Sequence, residues 1–218
     1  MSAARPVPVW LLISAPSGAG KTTICERLVA NTPGLERVVT CTTRQPRGTE
    51  RDGVDYHFLT PAEFARRVSA GEFLEHATVY GQFYGTLWAS VSGRLRAGRD
   101  LLLTLDVQGT ASVRALGAAD PGLRRSLVTV FLAPPSLAEL ERRLVGRGQD
   151  APAVIRRRLA AARAEMAHRR QFDYLVVSRS IADTLCRVTA IYEAEKMRPI
   201  RVLGMEPRAG GAPGRQAL

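Results

Sequence analysis

The stretch Ser14-Ala15-Pro16-Ser17-Gly18-Ala19-Gly20-Lys21-Thr22 constrains the architecture of this chain more than any other. The apolar run Val9 to Ile13 precedes it, and Thr23-Ile24-Cys25-Glu26-Arg27-Leu28-Val29 follows, giving buried strand, glycine-bearing turn and helix start in that order. Gly18 and Gly20 permit a tight turn whose backbone N–H groups point inward, where they and the positive end of the new helix hold phosphate oxygens. Lys21 reaches the outer phosphates, and the Thr22 hydroxyl is placed to ligate a magnesium ion. The strict pattern G-x-x-x-x-G-K-[ST] calls for glycine where Ala15 stands. Ala15, Pro16, Ser17, Gly18, Ala19, Gly20, Lys21, Thr22 and Thr23 are the candidate nucleotide-phosphate site.

A strand–loop–helix unit of this kind predicts a parallel sheet. The first helix runs from Thr22 to about Ala30 and ends at Asn31-Thr32-Pro33-Gly34. Beyond it the texture changes, with strands expected at 37–42, 55–59 and 72–80, a short helix at 61–70 and a return helix at 84–97. Short strands separated by turn chemistry suggest a mostly β lobe inserted into an α/β core. The core resumes at 100–106, whose Leu-Leu-Leu-Thr-Leu-Asp is the apolar run of a central parallel strand. Helices are expected at 108–116, 137–145, 152–169 and 181–197, with strands at 127–132 and 174–177. Ser136 reads as a helix cap with Glu139 at the third position. Residues 204–218, rich in Gly, Pro and Arg, read as a disordered tail.

With 218 residues, 45% of them hydrophobic, the chain fits one domain with inserted lobes. Its net charge of +11 comes almost wholly from arginine, since Lys21 and Lys196 are the only lysines. Such a balance suits polyanionic ligands. The arginines lack the interleaved aromatics of a stacking platform, so small phosphorylated ligands rank ahead of nucleic acid. Cys25, Cys41 and Cys186 lack metal-ligand spacing and read as buried thiols in a reducing compartment. No run approaches the roughly 20 apolar residues of a membrane span, and Pro8 interrupts the only stretch resembling a signal peptide. A cytoplasmic protein without a membrane partner is expected.

The segment Thr40-Cys41-Thr42-Thr43-Arg44-Gln45-Pro46-Arg47 sets two guanidinium groups three residues apart at the mouth of a loop, with Tyr56 beyond. Arginine holds phosphate through a planar bidentate fork, and tyrosine adds a neutral donor. The run Thr42 to Arg47, then Glu50, Gly53, Tyr56 and Phe58, then Phe73-Leu74-Glu75-His76-Ala77, then Tyr84-Gly85-Thr86, then Leu105-Asp106-Val107-Gln108-Gly109, resembles guanylate kinase. Pro134-Pro135-Ser136 and Arg143-Leu144-Val145-Gly146-Arg147-Gly148 extend the likeness, which covers roughly residues 9–197.

The resemblance implies a P-loop NTPase core with a parallel sheet flanked by helices, formed by 1–34 and 98–203, with a helical lid at about 137–160. Residues 35–97 would be the inserted mixed α/β GMP-binding lobe. It implies transfer of the ATP γ-phosphate to GMP, giving ADP and GDP, with Mg2+ as cofactor and Thr22 as its protein ligand. Lys21, Arg44, Arg143, Arg147 and Arg158 would be the catalytic cations. Arg44, Arg47, Tyr56 and Tyr84 would hold the GMP phosphate. Glu75 and Asp106 would accept the guanine N1–H and N2–H donors, with Thr40 and Thr86 as hydroxyl partners. The chemistry agrees, because guanine offers adjacent N–H donors where adenine presents an acceptor at N1. No catalytic His is required, since charge on the transferring phosphoryl oxygens needs positioned cations more than a base.

The chain departs from the family's pattern at two places. Thr104 stands where a second acid is usual, two positions before Asp106, and Ser178-Arg179 stand where an Asn near the adenine is common. A sugar-phosphate kinase and a catalytically inert guanylate-kinase-like module that binds phosphorylated protein are the alternative readings. An RNA-binding protein rests on net charge alone. The oligomeric state is open, a homo-oligomer included.

Overall fold

The structure is a computed structural model and describes residues 6–79, 81–146, 148 and 151–203. The chain begins with β1 (Trp10–Ser14) and α1 (Lys21–Asn31), then runs through β2 (Leu35–Arg37), β3 (Cys41–Thr42), β4 (His57–Phe58), α2 (Pro61–Ser69), β5 (Phe73–Val79), β6 (Gln82–Leu87) and α3 (Trp88–Arg96). It continues with β7 (Asp100–Thr104), α4 (Val107–Ala119), α5 (Pro121–Ser126), β8 (Leu127–Ala133), α6 (Leu137–Gly146), α7 (Pro152–Ala167), β9 (Tyr174–Val177), α8 (Ile181–Lys196) and α9 (Pro199–Val202).

Five strands form a parallel sheet in the order β2-β7-β1-β8-β9. All five residues of β1 are buried, as the central strand of a sheet covered on both faces must be. Its side chains alternate. Val9, Leu11 and Ile13 pack with Ile24, Cys25 and Leu28 of α1 and with Val188 and Tyr192 of α8. Trp10 and Leu12 pack with Val91 and Leu95 of α3 and with Val113 of α4. The parallel sheet with helices on both faces is the expected P-loop NTPase-like class.

Four shorter strands form a second sheet in the order β4-β3-β6-β5. The single strand expected at 37–42 is divided between the two sheets. Val38 donates its N–H to the Leu102 carbonyl in the core, whereas the Thr40 carbonyl accepts from His57. One run of backbone cannot serve both ladders, so the core sheet keeps Leu35–Arg37 and the lobe begins after it. The helix expected at 84–97 also differs. Gly85 and Tyr84 face Cys41 and Thr42 of β3 on one side and His76 and Ala77 of β5 on the other. Two ladders hold these residues extended, and the helix forms only from Trp88.

Cys25 and Cys41 are buried as expected, but Cys186 is exposed, because its place on α8 faces away from the sheet. Burial pushes the Cys25 thiol up to about 12 and the Cys41 thiol up to about 11, so neither is a nucleophile near neutrality. Among the described residues no helix is long and apolar enough to cross a membrane. The tail at 204–218 and Arg147 lie outside the described residues.

Candidate active site

A cleft of about 550 Å³ opens between the C-terminal ends of β1 and β7 and the second sheet. Its floor is the turn between β1 and α1. Gly18 and Gly20 have φ of 92° and 90°, the left-handed region that glycine enters without strain. Gly20 caps α1, so the helix begins at Lys21 with its first N–H groups facing the cleft. Ala15, Pro16, Ser17, Gly18, Gly20, Lys21, Thr22 and Thr23 line the cleft. Ala19 does not, being buried in the core cluster, and Ala15 reaches the same cluster from the opposite side of the turn. The Lys21 ammonium lies 3.5 Å from the Leu105 carbonyl at the end of β7.

Thr22 is exposed on this surface, and Asp106 and Glu165 open onto the same cleft. No cluster of three or more His, Cys, Asp or Glu suited to a metal exists among the described residues. One hydroxyl with carboxylates nearby fits a magnesium ion, which keeps most of its waters and binds through substrate phosphates rather than in a protein cage.

Across the cleft, the Arg44 guanidinium meets both Glu50 carboxylate oxygens at 2.6 Å and lies 4.9 Å from the Tyr56 ring centroid. Glu50 also accepts the Arg47 N–H at 2.8 Å. The Arg44 hydrogen bond, followed in effect by that N–H, holds the Glu50 carboxyl below its ordinary range despite partial burial. The fork is thus oriented in advance. Tyr84 packs edge-on to Tyr56 at 6.1 Å. Thr40, Arg44, Arg47, Tyr56 and Tyr84 all line the cleft.

Glu75 and Asp106 sit deeper. Glu75 is 6% exposed on β5, and its Oε1 accepts the Thr86 hydroxyl at 2.7 Å. Burial lifts its carboxyl to about 7; the Thr86 hydrogen bond opposes the shift and the Asp106 charge adds to it. Asp106 caps α4, its Oδ1 accepting the Gly109 N–H at 2.7 Å. Two carboxyl groups side by side in a cleft floored by a glycine turn and a helix N-terminus can read a base bearing adjacent N–H groups.

The guanylate kinase family profile matches residues 8–195. The chain belongs to the guanylate kinase family. The guanylate kinase of Paramagnetospirillum magneticum is 46% identical over 197 residues, which cover 90% of this chain and 89% of that protein. That of Anaeromyxobacter dehalogenans is 48% identical over 189 residues, covering 86% and 81%. The crystal structure of guanylate kinase from Anaplasma phagocytophilum superposes with a TM-score of 0.74 at 32% identity, covering 92% of each chain.

Not every residue that the guanylate kinase likeness implied reaches the cleft. Thr86 is fully buried, and its hydroxyl donates to Glu75 rather than reaching the cleft. Arg158 lines the cleft from α7, but Arg143 does not. Arg143 donates to Glu139 at 2.8 Å and to the carbonyls of Ser178 and Arg179 at 2.9 and 3.2 Å, so α6 is tied to the loop after β9. Ser178 is likewise committed. Its hydroxyl donates to the Ala19 carbonyl and accepts from Thr184, bracing the phosphate turn from behind. Arg37, Glu50, Asp55 and Glu165 line the cleft without having been singled out for roles. Glu165 stands on the same helix as Arg158; burial lifts its carboxyl to about 7, with Lys21 opposing and Asp106 adding. The seven-residue spacing of Arg158 and Glu165 on one helix, two turns apart, is the signal that could have found it.

Proposed function

We propose that the chain is a cytoplasmic ATP:GMP phosphotransferase that converts ATP and GMP to ADP and GDP. One observation carries this: the phosphate turn and the Glu75–Asp106 carboxylate pair line the same cleft. The ATP phosphates rest on the turn between β1 and α1, where the N–H groups of α1 and Lys21 meet them. Arg44 and Arg47, with Tyr56 and Tyr84, hold the GMP phosphate. Glu75 and Asp106 accept from N1–H and N2–H of guanine, with the Thr40 hydroxyl beside them. Thr86 acts indirectly by fixing Glu75.

Thr22 would hold the magnesium ion, which neutralises charge on the outer phosphates when bound. Lys21 and Arg158 add fixed positive charge to the oxygens on which negative charge spreads during transfer. Arg143 works from outside this group by holding the loop behind Ala19, and Arg147 keeps the lid role that the resemblance gives it. A site built around hydrogen bonds to guanine rejects adenine, whose N1 would face a carboxylate without a proton between them.

The test is a coupled ADP-release assay with ATP, magnesium and each of GMP, AMP, CMP and UMP, beside a control without acceptor. Turnover with GMP alone is expected. ADP release that needs no acceptor, or that is equal for GMP and AMP, would refute the reading. Turnover with a sugar phosphate instead would favour the alternative kinase class.

A further inference from the structure

Gly109 lies in the first turn of α4 and its Cα faces the gap between the two base-reading carboxylates. A β-carbon built there would stand 2.8 Å from Glu75 Oε2 and 3.3 Å from Asp106 Oδ1, and no other protein atom outside its own helix turn and neighbours comes as close. The first distance is shorter than real β-carbons tolerate, so something would have to move. The moving group is the Glu75 carboxylate, the far end of a side chain, rather than the backbone of the helix. Yet that carboxylate has little room. Its Oε1 is held by Thr86 at 2.7 Å and the residue is buried.

We propose that Gly109 is a specificity-setting positioning residue: the absence of its side chain fixes where Glu75 stands beside Asp106, and thereby the guanine-accepting geometry. This rests on the reading of Glu75 as a base reader. The Gly109 N–H bond to Asp106 Oδ1 at 2.7 Å would survive any side chain except proline, so the effect of a β-carbon falls on Glu75. Glycine is an unfavourable helix residue, and alanine at this place should favour α4. Helix stability and base recognition therefore ask opposite things of position 109. A glycine kept only for folding has no such conflict.

The experiment measures steady-state KM for GMP and for ATP, together with melting temperature, in Gly109→Ala, Glu75→Gln, Glu75→Asp and the double variant Gly109→Ala/Glu75→Asp. Gly109→Ala should raise the KM for GMP tenfold or more, leave that for ATP within twofold, and not lower the melting temperature. Shortening the acid makes room for the methyl group, so Gly109→Ala should cost less GMP affinity in the Glu75→Asp background than alone. A GMP KM within threefold of the parent enzyme, in a protein where Glu75→Gln raises it tenfold, would overturn the inference and spare the reading of Glu75. If Glu75→Gln itself leaves GMP binding unchanged, the base-reader assignment fails and takes the inference with it. A fall in melting temperature with both KM values raised would assign Gly109 to folding instead, and multiplicative losses in the double variant would deny the coupling.

Discussion

At the scale of single residues, the site is built from charges whose partners are chosen before substrate arrives. Glu75 shows what this costs. Its carboxyl sits at about 7 in the fold against an ordinary value of 4.5, chiefly through burial. The folded state thus favours the protonated acid, and the associated stability is present below pH 4.5 and lost as pH rises through 7. Glu75→Gln should therefore stabilise the protein at pH 8 by on the order of 3 kcal/mol and do nothing below pH 4.5. Chemical denaturation at both pH values checks this. The same substitution should weaken GMP far more than ATP, because a donor then faces guanine N–H. In the parent enzyme kcat/KM for GMP should fall as pH drops below about 7, a fall that the Gln variant lacks. Glu50 argues similarly. Its bidentate hold on Arg44 stacks the guanidinium over Tyr56, and Glu50→Gln should raise the KM for GMP roughly tenfold with that for ATP unchanged. Equal changes for both nucleotides would deny Glu50 that role.

Between elements, the decisive contact is that of α6 with the phosphate turn. A β-carbon on Gly18 would stand 2.8 Å from Leu144 Cδ2 and 3.1 Å from Leu140 Cδ1, in a position whose φ already excludes most side chains. Leu140 and Leu144 also form a small core with Ile155 and Ala162 of α7, so a push at Gly18 passes directly to the helix that carries Arg158 and Glu165. Gly18→Ala should cost about 1–3 kcal/mol and cut kcat/KM for ATP more than tenfold. Thermal melts and initial rates at saturating GMP test the two halves separately. The turn and its helix were legible in sequence because glycine spacing, lysine and threonine each have one use there. The lid's wiring was not. Arg143 and Arg147 share a spacing, but whether a guanidinium meets a phosphate or the Ser178 and Arg179 carbonyls depends on where the loop after β9 runs. Likewise the break of 37–42 between two sheets follows from partners that local propensity does not contain. Glu75 and Asp106 stand in ordered motifs, whereas Glu165 has only its seven-residue spacing from Arg158 on α7 to mark it.

On the scale of the whole molecule, the two ends of the described chain are fastened together. Arg201 is 2% exposed on α9 and donates to Glu195 at 3.0 Å and to the carbonyls of Pro8 and Ser126 at 3.1 and 3.2 Å. Removing it leaves the Glu195 carboxylate buried with, among the described residues, Tyr174 and the exposed Arg198 for partners. Arg201→Ala should destabilise the protein by about 3–5 kcal/mol, a shift measured as the denaturant midpoint, with KM values for both nucleotides unchanged in the protein that remains folded. Nothing in residues 199–202 announces such a role, since one arginine among so many carries no pattern of its own.

The order of strands in the parallel sheet has a further consequence, for the chain during its synthesis. The first strand is central, and both its neighbours come late: Trp10 pairs with Leu101 on one side and Leu127 on the other. The Val9 N–H waits for the Asp100 carboxylate across 91 residues. At roughly 5–20 residues per second, β1 emerges from the ribosome some 5–18 s before either of its strand partners, with α1 alone at hand to cover one face. The nascent chain should therefore be a client of holding chaperones, and its folding should be set by long-range pairing rather than by its helices.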